Sequence, residues 1–242
     1  MRQFWPKAEL KRLGQLFGRG LSYGAISTQL NSEFGNGRTA KSVDSKLFVL
    51  KQDGELGSWL DQAKLGFLDI ETSNFHADAG FMLSWAIAIP GEQQTYSDVI
   101  TRQDIQRGYG DDKRILVSLV ETMRKCDVVA TFFGKRFDAP YLRARAISHN
   151  LSFPTYGSIV HLDLFYACRT LFKLHRRSLD AACSFLNIPG KTHLDMGIWN
   201  KARVGHTQSL QYVLEHNLAD VEILAQLFDR IKPYAKWTKT SI

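Results

Sequence analysis

Apolar positions along the chain follow two different periods. Up to residue 50 they recur every three or four residues, as Leu10, Leu13 and Phe17, then Ile26 and Leu30, then Ala40, Val43, Leu47 and Leu50. That spacing predicts three short helices. Gly18 and Gly20 break the first, Ser22 can cap the second, and Asn36-Gly37 marks the turn before Thr39 caps the third. From Lys64 onward the runs become strand-like, at 65–72, 81–89 and 95–100, with Pro90-Gly91 between the last two. Connections this short predict an antiparallel meander. Residues 111–125 return to helical spacing through Ile115, Leu116, Leu119, Val120 and Met123, and 128–133 forms another buried strand. Helices follow. The order βββ-α-β-α predicts an α/β domain with a mixed sheet over 64–242, preceded by a small helical domain at 1–52. Residues 53–63, with Asp53-Gly54, Gly57-Ser58 and mixed charge, read as the join.

Candidate chemistry begins in the first strand, Leu65-Gly66-Phe67-Leu68-Asp69-Ile70-Glu71-Thr72. Side chains alternate along a strand, so Asp69 and Glu71 share one face while Leu68 and Ile70 share the other. Two carboxylates held together need a shifted protonation state or a hard cation with oxygen ligands. An edge strand showing its acids to water gives the same local pattern; apolar residues on both faces speak for a central strand. Asp138, in Gly134-Lys135-Arg136-Phe137-Asp138-Ala139-Pro140, stands where a strand gives way to a helix. It fits a helix N-cap, and it also fits the strand end where α/β sheets bind ligands. His216 and Asp220 are four apart and share a helical face, as a surface ion pair would. However, Val221, Ile223, Leu224 and Leu227 place Asp220 beside the apolar stripe, where a carboxylate needs a cation or a hydrogen-bond donor.

Charge narrows the partners. The 242 residues hold 31 Lys/Arg against 24 Asp/Glu, a net +7, which favours a polyanion. Ten Lys/Arg against six Asp/Glu lie in residues 1–64. Cys126, Cys168 and Cys183 show no paired spacing, as in an intracellular thiol protein and unlike a disulfide scaffold or zinc site. Neither a signal peptide nor an apolar run near 18 residues is evident, so a soluble, cytoplasmic protein without a membrane or an obligate protein partner is expected.

Taken in order, Asp69-x-Glu71, Phe137-Asp138-x-Pro140 and His216-x-x-x-Asp220 resemble the DEDD superfamily of 3′-to-5′ exonucleases on the ribonuclease-H-like fold, across about residues 64–235. His161-Leu162-Asp163-Leu164, Ser178-Leu179-Asp180 and Gly190-Lys191-Thr192 add to the likeness. The resemblance implies that Asp69, Glu71, Asp138 and Asp220 hold two Mg²⁺ or Mn²⁺ ions, with Asp69 touching both. It implies that His216 orients or deprotonates the attacking water. The substrate would be DNA or RNA. Two positions depart from the pattern. The superfamily carries Tyr four residues, or His five residues, before the last Asp, whereas His216 takes the four-residue spacing. Phe133 stands where relatives often carry Asn, so a polar contact to substrate is either missing or replaced by stacking. Lys135 and Arg136, with Arg143, Arg145, Arg169, Lys173, Arg176 and Arg177, form either a phosphate track or solvated surface. Asp163 is either a substrate-side support or a helix cap.

The first 50 residues resemble helix-turn-helix domains of the Myb/SANT-like type, through Trp5, Gly20-Leu21-Ser22-Tyr23 and Arg38-Thr39-Ala40-Lys41-Ser42-Val43. The resemblance implies a third helix in the DNA major groove, with Lys41, Ser42, Ser45 and Lys46 facing the bases and phosphates. A helical bundle with a solvated basic face, or a protein-docking module, fits the same pattern. For the whole chain, an endonuclease and a DNA-binding protein that no longer cuts remain as alternatives to an exonuclease.

Overall fold

The computed structural model describes residues 4–53, 59–108, 110–189, 195–237 and 240–242. The chain divides into two compact units, 1–65 and 66–242.

In the first unit, α1 (Lys7–Gly18), α2 (Tyr23–Phe34) and α3 (Ala40–Gln52) enclose Leu13, Leu16, Phe17, Ile26, Leu30, Val43, Leu47 and Leu50. Ser22 and Thr39 cap α2 and α3 through their side chains, and Thr39 and Ser42 complete a reciprocal capping box. Ala40, expected to face inward, lies exposed in the first turn of α3. Ala40 is in phase with Val43, Leu47 and Leu50, but it is the first residue of α3, directly after the Thr39 cap. A buried ion pair ties α1 to the start of α3. Arg38 donates from Nε and Nη2 to both Glu9 oxygens at 2.7 Å, its guanidinium lies 3.8 Å from the Trp5 ring centroid, and both charged side chains are fully inside. The join at 53–63 is more structured than expected. A short helix α4 (Trp59–Gln62) packs Trp59 on the first unit's core and buries Leu60, while Gly54, Gly57 and Ser58 lie outside the described residues.

In the second unit β1 (Leu65–Thr72), β2 (Met82–Ala88) and β3 (Tyr96–Val99) form the antiparallel meander. Next come α5 (Arg102–Gln106), α6 (Lys113–Met123), β4 (Val128–Thr131), α7 (Asp138–Ser148), β5 (Val160–Asp163), α8 (Leu164–Leu171), α9 (Leu179–Phe185), α10 (Met196–Arg203), α11 (Thr207–Ile231) and β6 (Thr240–Ser241). The sheet runs β3-β2-β1-β4-β5-β6, with β4 and β5 parallel and β5 and β6 antiparallel, so it is mixed as expected. β1 is central, which removes the edge-strand reading of its acids. Leu68 and Ile70 join Ile115, Leu119 and Leu142 in the core on one face. On the other, Phe67 meets Phe228 of α11 edge-on at 5.4 Å. Asp69 and Glu71, in phase with Phe67, therefore face α11. β5 and β6 add strands that hydrophobic periodicity did not separate from the helices, because four buried residues carry no period of their own. Gly190, Lys191 and Thr192 lie outside the described residues. No helix among the described residues is long and apolar enough to cross a membrane.

Candidate active site

The 25-residue α11 presents a buried stripe of Leu210, Val213, Asn217, Asp220, Val221, Leu224, Leu227, Phe228 and Ile231, at the three-and-four spacing of one helical face. Its middle turns polar where it crosses β1. His216, Asn217 and Asp220 are all at least nine-tenths buried there, so the pair His216–Asp220 belongs to the interior and not to the surface. His216 Nε2 lies 3.7 Å from Glu71 Oε1 and 3.7 Å from Asp220 Oδ2. Potential ligand atoms of Glu71, His216 and Asp220 all fall within 4.8 Å of one another. Asn217 Nδ2 donates to Asp69 Oδ2 at 2.6 Å, and the Ser84 hydroxyl donates to Asn217 Oδ1 at 3.4 Å. Ser84 pairs across the sheet with Glu71, so this chain of bonds fixes Asp69 from the strand beside it. Asn217 and Ser84 were not singled out from the sequence. The signal for Asn217 was its phase, four residues after Val213 and three before Asp220.

Asp138 joins the group from the start of α7, after the turn that follows β4. It is not the cap of α7: Phe137 occupies that position, no side chain caps the helix, and Asp138 is the first helical residue, with its carboxyl buried beside Asp69. Burial pushes its pKa well above the ordinary carboxylate range, and the charge of Asp69 pushes it further; backbone N–H groups of Asp138 itself and Ile70 oppose the rise in part. The residues at this crossing can hold a hard divalent ion. Oxygen donors predominate, one imidazole is in reach, and burial together with the Asp69 charge makes Asp138 resist ionisation.

The turn between β4 and α7 is held from β5. Asp163 accepts from Phe133 N at 2.8 Å, from Lys135 N at 3.0 Å and from Phe165 N at 3.1 Å, so it caps α8 and clamps the turn at once. Burial raises the Asp163 pKa despite these donors. β4 ends at Thr131, two residues earlier than expected, and Phe133 takes the left-handed conformation with φ 67°. For a bulky side chain that conformation costs about 1–2 kcal/mol. A side chain at Gly134 would collide with Thr131, so the tight turn also requires that glycine. Below the turn, Thr131 Oγ1 lies 2.8 Å from His161 Nε2, and burial, with Lys135 and Arg143 nearby, lowers the His161 pKa to about 4.

Other sequence-marked residues are distributed as follows. Lys135 is half-buried with its ammonium 5.5 Å from the Tyr166 ring centroid, and Arg136 is exposed. Arg145 leaves the candidate phosphate track altogether: it turns inward to Asp112, donating from Nη2 at 2.7 Å. On α3, Lys41 and Ser45 are exposed and Lys46 is half-buried, while Ser42 Oγ accepts from Thr39 N in the capping box and donates to the Thr39 carbonyl. Beside Glu71 opens a cavity of about 430 Å³ lined by Asn74, Phe75, Phe137, Trp199 and Arg203.

Comparison with known proteins bears on the fold that carries these residues. One DNA polymerase, from Methanocaldococcus jannaschii, is 26% identical over 138 residues, a match covering 46% of this chain and 8% of the polymerase. The structure of the family B DNA polymerase from the hyperthermophilic archaeon Pyrobaculum calidifontis aligns with a TM-score of 0.58 at 15% identity, over 71% of this chain and 25% of that one, a likeness of fold. The chain thus spans a small part of each polymerase. The sequence model of the RNase_H superfamily matches residues 66–232, from the first acid-bearing strand to the end of the helix carrying His216 and Asp220, and by that match the chain belongs to the RNase_H superfamily.

Proposed function

We propose that the chain is a divalent-metal-dependent nuclease that removes nucleotides from 3′ ends of DNA or RNA. The observation that carries the reading is the cluster of Glu71, His216 and Asp220 where β1 meets α11, with Asp69 of β1 and Asp138 at the start of α7 beside one another. The ordered motifs, which resemble the DEDD exonucleases, support the polarity. Asp69, Glu71, Asp138 and Asp220 would hold two Mg²⁺ or Mn²⁺ ions, with His216 in reach of the same space. When bound, such a pair supplies Lewis-acid stabilisation of charge at phosphorus and a more acidic attacking water. The chain's own residues do the rest. His216, between the Glu71 and Asp220 carboxylates, accepts and positions the water proton. Asn217 orients Asp69, and the cavity beside Glu71 offers Phe75, Phe137 and Trp199 to a terminal base and Arg203 to a phosphate.

The test is incubation of end-labelled single- and double-stranded DNA and RNA with Mg²⁺ or Mn²⁺, alongside a covalently closed circle. The expected result is metal-dependent release of mononucleotides from 3′ ends, abolished by chelator and by Asp69→Asn, with the circle left intact. Cleavage by Asp69→Asn at the wild-type rate would sink the assignment, and rapid cutting of the circle would make the protein an endonuclease.

For the first unit we propose duplex DNA binding through α3, supported by the exposure of Lys41 and Ser45 and by the basic excess of residues 1–64. Lys41→Ala with Lys46→Ala should weaken duplex binding and reduce the salt slope by about one per lysine. An unchanged slope would make this unit a docking module or a bundle.

A further inference from the structure

Phe133 is held where its residue type fits badly. Its φ of 67° suits Gly, or Asn with less strain, and a bulky residue there is an outlier. The backbone is fixed on both sides: its N–H donates to Asp163 at 2.8 Å, and its carbonyl accepts from Arg136 N at 3.0 Å and Phe137 N at 3.2 Å. Strain that the surroundings over-determine is a mark of functional positions. Burial of the ring does not account for the choice, because Phe133 remains 42% exposed. The ring stands at 4.8 Å and 69° to Phe165, with one side covered and the rest open. Phe165 in turn meets Tyr166 edge-on at 5.2 Å, over which Lys135 lies. Residues 164–178 carry Arg169, Lys173, Arg176 and Arg177 and no Asp or Glu, and all four cations are exposed. Arg169, Arg176 and Arg177 line one cleft with Phe165, and an aromatic surface with cations beside it, five residues before Asp138 in the chain, has the chemistry of a single-strand binding track.

We propose that Phe133 is a stacking platform for an unpaired base of the strand running into the acid cluster, so that the site takes single-stranded nucleic acid by ring stacking without reading its sequence. The inference rests on the nuclease reading and names its substrate class. Asp163 acts as the positioning residue, because its bonds to the N–H groups of Phe133 and Lys135 hold the ring in place. Stacking is sequence-tolerant because every base presents a π face. The platform lies apart from the Glu71 cavity, whose lining includes Phe137 but not Phe133.

The experiment measures binding of a fluorescent 12-nucleotide oligothymidylate to the full chain with Ca²⁺ in place of Mg²⁺, and hydrolysis of thymidine 5′-(p-nitrophenyl phosphate), which has no neighbouring base, with Mn²⁺. Phe133→Gly and Phe133→Asn should weaken oligonucleotide binding about tenfold, the loss of one base–aromatic stack. They should slow hydrolysis of the single-nucleotide ester far less than they weaken oligonucleotide binding. Phe133→Trp should retain binding. An abasic site scanned through the last four positions should, at one position, weaken wild-type binding and leave Phe133→Gly unaffected. Wild-type affinity in both relaxed variants would overturn the proposal, as would an equal loss on the single-nucleotide ester, since Phe133 would then be shaping the acid cluster. Failure of the wild-type chain to bind any oligonucleotide would overturn the nuclease reading itself.

Discussion

Two groups of buried carboxylates in the second unit show opposite solutions to the same electrostatic problem. Asp112 is completely enclosed, and donors converge on it: Met82 N at 2.8 Å, Arg145 Nε at 2.9 Å, Arg145 Nη2 at 2.7 Å and His149 Nε2 at 2.7 Å. Its charge is matched by a guanidinium, and the network joins the start of β2, the start of α6 and the end of α7. At the β1–α11 crossing carboxylates lie close to one another, with Asn217 and His216 among them. Asp69 drives the Asp138 pKa upward, and Glu71 and Asp220 face the same nitrogen of His216. Burial and residue type are alike in the two places. The difference lies in what stands beside the acids: a guanidinium at Asp112, and further carboxylates with one imidazole at the crossing. An acid closed by Arg is structural, and acids gathered against one another repel, an arrangement that a bound cation relieves.

That contrast makes the two groups respond with opposite sign to loss of a charge. Arg145→Ala strands Asp112 and should lower stability by about 3 kcal/mol, at the low end for a broken buried pair because His149 and Met82 N still donate. Denaturant unfolding monitors it, and a loss below about 1 kcal/mol would mean that the network is not the clamp described. Asp138→Asn should have the smaller effect and the other sign, raising the melting temperature of the metal-free chain. The direction follows from linkage. The folded-state pKa of Asp138 lies above its unfolded value, so the native state holds this proton more tightly. Its contribution is present below the ordinary carboxylate range and is lost as pH rises through the raised value. The variant should therefore show a flatter stability profile across that window. An unaltered profile would show that Asp138 ionises freely without a metal.

How much of this was legible depended on sequence separation. Asp69 and Glu71 were readable because a strand has period two, and His216 and Asp220 because a helix returns to the same face after four residues. Their association with Asp138 was readable only through resemblance, since no local period links β1, α7 and α11. The Asp112 network was not readable at all. Arg145 and His149 lie 33 and 37 residues from it, and Arg145 looked like one more surface cation. The pair Glu9–Arg38, 29 residues apart, was hidden for the same reason. At Phe133 the sequence offered two outcomes for an absent Asn, and only the backbone conformation and the exposed ring distinguish them. The cap of α7 was misread because an acid before an Ala-Pro pair fits N-cap chemistry equally well whether it stands at the cap or one residue inside it.

The central claim is that the gathered acids are a divalent-metal site, and its most direct test is titration of metal-free protein with Mn²⁺, followed by the electron paramagnetic resonance of the free ion. The account predicts saturable uptake of about two ions per chain. Uptake should fall in Asp69→Asn and in Asp220→Asn, and should be unchanged in Asp98→Asn, whose carboxylate belongs to the outlying pair with Arg114. Equal uptake by wild type and Asp69→Asn would contradict it.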